Sequence, residues 1–177
     1  MIFRKTKIKD VYIIEPELHK DERGYFGRIF CQEELSKTGI DFTVRQASQA
    51  LSLKKGTIHG MHFQREPVAE KKIVQCIRGA IYDVVVDLRK SSDTYGQWIA
   101  EELNEENKKK IYIPEGCAHG FQTLTDNCER LYFVSELYSP ENCGGIRWDD
   151  PSLKIEWPIK DSVIISVQDR QWPLLSS

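Results

Sequence analysis

Long apolar runs are missing from this sequence. Over 177 residues, apolar stretches stay as short as Val84-Val85-Val86 and Val163-Ile164-Ile165, far below the roughly 18 residues a membrane-spanning helix needs. The start, Met1-Ile2-Phe3-Arg4-Lys5-Thr6-Lys7, carries no apolar h-region, so neither a signal peptide nor a membrane span is expected. Surplus charge is missing too. Lys and Arg number 25 against 27 Asp and Glu, a net charge of −2, whereas a nucleic-acid binder needs a positive balance to release counterions from phosphates. The basic run Lys108-Lys109-Lys110 follows Glu101-Glu102 and Glu105-Glu106 and reads as a solvated turn. Paired cysteines are absent as well. Cys31, Cys76, Cys117, Cys128 and Cys143 are odd in number, with no C-x-x-C, which speaks against a disulfide framework or thiolate zinc site and for reduced thiols in the cytoplasm. There is no repeat, low-complexity segment or linker, so a single domain over 1–177 is expected.

Helical signal is scarce: 32–37, stopped by Gly39, is the one short helix the pattern predicts. Strand signal is plentiful. β-rich runs at 72–77, 81–88, 97–103, 110–113, 120–124 and 130–137 are each bounded by Gly, Pro, Asn or Asp, the pattern of an all-β sandwich or barrel. The first two flank Arg78-Gly79 and read as a hairpin. Alternation along the second puts Tyr82, Val84, Val86 and Leu88 on one face and Ile81, Asp83, Val85 and Asp87 on the other. Two carboxylates on an inner face call for a barrel enclosing a polar pocket rather than a dry core.

Three of the four histidines, His59, His62 and His119, lie in glycine-bearing segments. Each alone reads as a hydrogen-bonded structural residue. Together they fit either a metal site, with Glu70 nearby, or a general base near neutral pH. Strand parity opposes the metal site: residues three apart point to opposite faces, so His59 and His62 cannot share an ion without a bulge. A base is strengthened by a carboxylate on its other ring nitrogen, and Asp83 and Asp169 are the candidates.

Several ordered blocks then carry a resemblance. They are Asp21-Glu22-Arg23-Gly24-Tyr25-Phe26, Gly56-Thr57-Ile58-His59-Gly60-Met61-His62-Phe63-Gln64, Lys72-Ile73-Val74, Gly79-Ala80-Ile81-Tyr82-Asp83 running to Arg89, Pro114-Glu115-Gly116-Cys117-Ala118-His119-Gly120-Phe121, Trp148-Asp149-Asp150-Pro151 and Ile155-Glu156-Trp157-Pro158. Over nearly the whole chain they resemble the dTDP-4-dehydrorhamnose 3,5-epimerase family. The resemblance implies a cupin-like jelly-roll β-barrel with a few short helices, a homodimer, and no metal or organic cofactor. It implies an epimerase acting at C3, C5 or both of a nucleotide-linked 4-keto-6-deoxy hexose, a dTDP-sugar above all. In that chemistry the C4 ketone acidifies both neighbouring positions, a base takes the proton and an acid returns it on the opposite face. By resemblance His62 is the base, Asp169 its orienting carboxylate, Tyr132 the acid and Lys72 the cation on the enolate oxygen. Arg23, Phe26, Arg28, Gln46, Ser48, His59, Lys72, His119 and Tyr138 make up the implied substrate-binding set.

The chain departs from the family pattern at places that touch substrate. His59 stands where arginine is usual at a phosphate-facing position, Gln168 where lysine is common, and Arg28 where a carboxylate is common. Ser48 replaces a common asparagine, Cys143 a frequent glutamate and Phe63 a frequent tyrosine. Imidazole cannot make the bidentate contact of a guanidinium. Altered substrate recognition on preserved proton chemistry is the expectation: another base, a different sugar, or a diphosphate held by Arg28 in place of His59, with a single 3- or 5-epimerisation also open. A 3,4-ketoisomerase, a non-catalytic nucleotide-sugar-binding cupin and a metal-dependent oxygenase are the competing readings.

Overall fold

The structure, a computed structural model, describes residues 1–175, and its regular elements are almost all strands. In chain order these are β1 (Ile2–Lys5), β2 (Tyr12–Glu15), β3 (Leu18–Asp21), β4 (Gly24–Gly27), β5 (Gln46–Ser52), β6 (Thr57–Gln64), β7 (Lys72–Arg78), β8 (Ala80–Asp87), β9 (Trp98–Asn104), β10 (Lys110–Ile113), β11 (Cys117–Thr123), β12 (Cys128–Val134), β13 (Cys143–Gly145) and β14 (Ile164–Ile165). Helix α1 (Gln32–Ser36) follows β4 and α2 (Val167–Gln171) lies near the C-terminal end. One sheet has the order β1-β2-β10-β7-β12-β5. The other runs β13-β6-β11-β8-β9, with β14 also on β6. From β5 onward the chain steps back and forth between the sheets, the jelly-roll arrangement of a cupin-like barrel.

Alternation along each strand decides what fills the barrel. Ile13, Val74, Cys76 and Ile111 of the first sheet meet Ile81, Val85, Leu103 and Phe121 of the second in one buried core. The outer face of the second sheet, including Val84, Val86 and Tyr82, packs under the C-terminal segment with Leu153 and Trp157. The outer face of the first, with Ile14, Ile73 and Tyr112, is covered by Leu35 of α1 and by Phe42. Each fully buried Val, Leu, Ile or Phe among these contributes about 1.5–3 kcal/mol. The two faces expected of β8 are therefore the two it has, and α1 falls where the sequence pattern predicts it, with Gly39 beyond its end at φ +84°.

The expected hairpin at Gly79 is not one. β7 belongs to the first sheet, beside β10 and β12, while β8 belongs to the second, beside β11 and β9. Gly79 (φ +73°) is the corner where the chain leaves one sheet for the other, and a Cβ there would sit 2.4 Å from Thr125 Oγ1. A glycine between two β-runs marks a sharp turn but does not say whether the second run folds back on the first.

Candidate active site

The site is set by one extra residue in β6. His119 of β11 lies opposite His62, and Phe121, two residues on, lies opposite His59, three residues back. Gly60 and Met61 together face the single Gly120, a β-bulge that resets the alternation. His59 and His62 consequently share the inner face. Parity predicted opposite faces; the bulge is the reason it fails. Glycine is required on both strands: a Cβ on Gly60 would stand 2.6 Å from Gly120 Cα, and one on Gly120 would stand 2.7 Å from the His59 carbonyl.

Each cavity histidine has its own partner. His62 Nε2 bonds Asp169 Oδ1 at 2.5 Å, which leaves Nδ1 as the ring nitrogen the carboxylate does not engage, and the ring remains 40% exposed. Asp169 is presented by α2, where its backbone N–H bonds the Ser166 hydroxyl that caps the helix. Its carboxylate also accepts from Gly60 N–H and Trp172 Nε1–H. Burial raises its proton affinity, but the His62 hydrogen bond and charge and the backbone donor outweigh that and hold its pKa below the ordinary value. His119 Nε2 pairs with Asp83 Oδ2 at 2.8 Å, both buried. Desolvation pushes Asp83 up, against the pull of His119, Arg130 and Lys72. Both carboxylates suggested by sequence are thus used, one per histidine. His59 Nε2 lies 3.1 Å from Ser52 Oγ, and its ring stacks on Phe121 at 4.9 Å. Burial, then the nearby Arg130 charge, lower its pKa to about 4, so it is neutral near pH 7. Among the described residues no three His, Cys, Asp or Glu side chains converge as metal ligands.

The facing sheet supplies the other half. Tyr132 on β12 packs against the core and stands opposite Val74 of β7, two residues beyond Lys72. Lys72 and Tyr132 therefore point inward from the wall facing His62. Lys72 Nζ is held 2.9 Å from Glu70, and burial raises the Tyr132 phenol above its ordinary pKa. A cavity of about 220 Å³ opens between His62, Lys72, Glu70, Tyr138 and Trp172. Phe63, Cys143 and Gln168, three of the departures from the family pattern, line this same cavity.

Other expected residues fall at its margin or away from it. The Tyr138 N–H donates to Gln46 Oε1 at 2.6 Å, and the Cys143 thiol beside its hydroxyl raises the phenol's pKa. Ser48 is exposed, directly opposite Tyr132. Arg28 pairs with Glu34, next to the Met1 amino group, and lies on the α1 side rather than at its own chain's cavity. Arg23 and Phe26 sit on the separate β3–β4 hairpin, 84% and 68% exposed, with Arg23 bound only to Asp21 among the described residues. The residues that sequence reasoning passed over are Ser52, Arg130 and Trp172. Arg130 could have been found, because it lies two residues before Tyr132 on one strand and must share its face.

The family model described as dTDP-4-dehydrorhamnose 3,5-epimerase matches residues 5–177. This chain belongs to that family. It is 46% identical to the dTDP-4-dehydrorhamnose 3,5-epimerase of Methanothermobacter thermautotrophicus, over 96% of this chain and 92% of that one. The crystal structure of dTDP-4-dehydrorhamnose 3,5-epimerase from Elizabethkingia anophelis superposes with TM-score 0.96 at 36% identity, covering 99% of this chain and 97% of that one. That from Bacillus anthracis, with TDP and PPi bound, gives 0.94 at 39% identity over 98% of each. The protein is accordingly an isomerase of the epimerase type with the cupin-like fold, and neither the ketoisomerase nor the non-catalytic reading is favoured.

Proposed function

We propose that this epimerase inverts both C3 and C5 of a dTDP-linked 4-keto-6-deoxyhexose, with His62 as base, Tyr132 as acid and Lys72 on the enolate oxygen. The observation that carries the assignment is that His62 and Tyr132 stand on facing sheets of one barrel. A sugar held between them presents one face to each. His62 Nδ1 takes the proton next to the ketone, the Lys72 ammonium balances the charge that develops on oxygen, and the Tyr132 hydroxyl delivers a proton from the other side. Asp169 keeps the His62 ring oriented and stabilises its cationic form. The TDP bound in the B. anthracis relative supports the thymidine nucleotide. The five free thiols support a cytoplasmic setting.

Incubation with dTDP-4-keto-6-deoxyglucose in D2O is expected to place deuterium at both C3 and C5. His62→Ala should lose about 10³-fold of the exchange, and Tyr132→Phe should exchange without completing inversion. Absence of label in the wild-type product, or full exchange by His62→Ala, overturns the assignment.

We further infer a homodimer in which the β3–β4 hairpin completes the site of the second copy. Lys108, at the turn before β10, lies 4.8 Å over the Tyr25 ring, while β10 pairs Lys110 with Gln75 and Ile113 with Lys72. The hairpin is thus fastened at the sheet end away from Lys72. Its exposed Arg23 and Phe26 are an arginine for phosphate and an aromatic face for a base, neither of which the hairpin's own cavity uses.

A further inference from the structure

Arg130 is a buried charge to which the proton transfers above give no task. It is 2% exposed and, among the described residues, no carboxylate lies within ion-pair distance of it. A guanidinium desolvated without a counter-ion is costly to keep as mere packing. Its hydrogen bonds are specific instead. Nε donates to Tyr132 Oη at 2.8 Å, Nη1 donates to Ser52 Oγ at 3.0 Å and to the Cys128 carbonyl at 3.4 Å, and the plane lies 4.3 Å over the Phe121 ring. Ser52 in turn meets His59.

Two consequences follow from donor chemistry. Arginine has no acceptor, so Tyr132 Oη must accept from it, which leaves the phenol's own proton free to point elsewhere. A fixed positive charge at the oxygen also stabilises the phenolate that remains once that proton has gone. This opposes the burial that raises the phenol's pKa. Position 59, where the family pattern has a guanidinium, holds a neutral imidazole. Arg130 supplies a guanidinium one hydrogen-bonded step away, through Ser52, and turns it toward the phenol.

We propose that Arg130 is a positioning residue for Tyr132, orienting its hydroxyl toward the sugar and stabilising the phenolate formed on proton delivery. The proposal rests on the reading of Tyr132 as the acid. In the step, the Tyr132 O–H bond breaks and its electron pair stays on Oη; the enolate's pair forms the new C–H bond. Arg130 remains protonated throughout, and solvent later returns a proton to Oη.

The test compares R130M, R130K, Y132F and the R130M/Y132F double variant, all checked for retained fold, on dTDP-4-keto-6-deoxyglucose. R130M should lower kcat for inversion about 100-fold with KM held within about threefold. Deuterium exchange at C3 and C5, which needs His62 and Lys72 but not the acid, should persist, and R130K should recover part of the loss. The double variant should be no slower than Y132F, because Arg130 acts through the phenol. Should R130M not fold, R130K decides by the same criteria: kcat falls, KM holds, and the loss vanishes in the Y132F background. Wild-type inversion by the Arg130 variants, or a loss that adds in full to that of Y132F, overturns the proposal. Wild-type inversion by Y132F overturns the underlying reading instead.

Discussion

His59 replaces a usual arginine, and the barrel treats it as a neutral group. Its ordinary pKa of 6.5 falls to about 4 on folding. Between those pH values the unfolded chain binds more protons there than the folded one, so this residue lowers stability progressively as pH falls from 6.5 toward 4. His59→Gln, which can keep a bond to Ser52, should flatten the fall in thermal midpoint across that window and leave the midpoint near pH 7.5 little changed. Melting curves at pH 7.5 and 5 check this; an equally steep acid loss in the variant would contradict it. The same residue scale shows how legible the site was. His62, Asp169, Lys72 and Tyr132 were reached by resemblance; His62 faces Lys72 and Tyr132 across the barrel, and α2 brings Asp169 to His62. Arg28 is engaged by Glu34, a pairing the pattern did not show, because sequence shows a charge but not which neighbour holds it.

Single strands and turns decide how those residues meet. The extra residue in β6 turns His59 and His62 from opposite faces to one, and the Gly60–Gly120 contact permits it. Gly60→Ala places a Cβ against backbone at φ +117°. It should cost at least about 2 kcal/mol of stability and depress exchange by far more than His59→Gln does, since His62 shifts with the strand. Urea denaturation alongside the exchange assay checks both, and a stable, active Gly60→Ala would show that the bulge tolerates a side chain. Helix α2 matters equally, since Ser166 caps it and thereby aims Asp169. Its five residues are too few for a periodic apolar signal, and so it escaped the sequence pattern. Gly79 was readable as a turn but not as a corner between sheets.

On the scale of the molecule, a net charge of −2 offers a nucleotide diphosphate no general attraction, so recognition depends on a few placed cations. Lys72 is one. Arg23, on the exposed hairpin, is another only if a second copy brings it. Arg23→Ala should raise KM about tenfold, the worth of a charge-assisted phosphate contact. Co-refolded Arg23→Ala and His62→Ala chains should then recover about a quarter of wild-type activity at low substrate, as random pairing leaves one intact site in half the dimers. No gain on mixing would place Arg23 and His62 in the same chain's site. Among the described residues no helix is long and apolar enough to cross a membrane.

Strand content, the faces of β8, the short α1 and the need for a polar pocket were determined by the sequence, because alternation and punctuating glycines are local properties written residue by residue. The ordered motifs likewise named the family and its principal chemical groups. Tertiary structure alone decided that β7 and β8 part into different sheets, that His59 turns inward, that Arg28 and the hairpin lie off the cavity, and that Arg130 reaches Tyr132. Each of these depends on register or on contacts between residues distant in the chain: one inserted residue shifts a whole face, and a buried guanidinium takes its meaning only from the oxygen it touches.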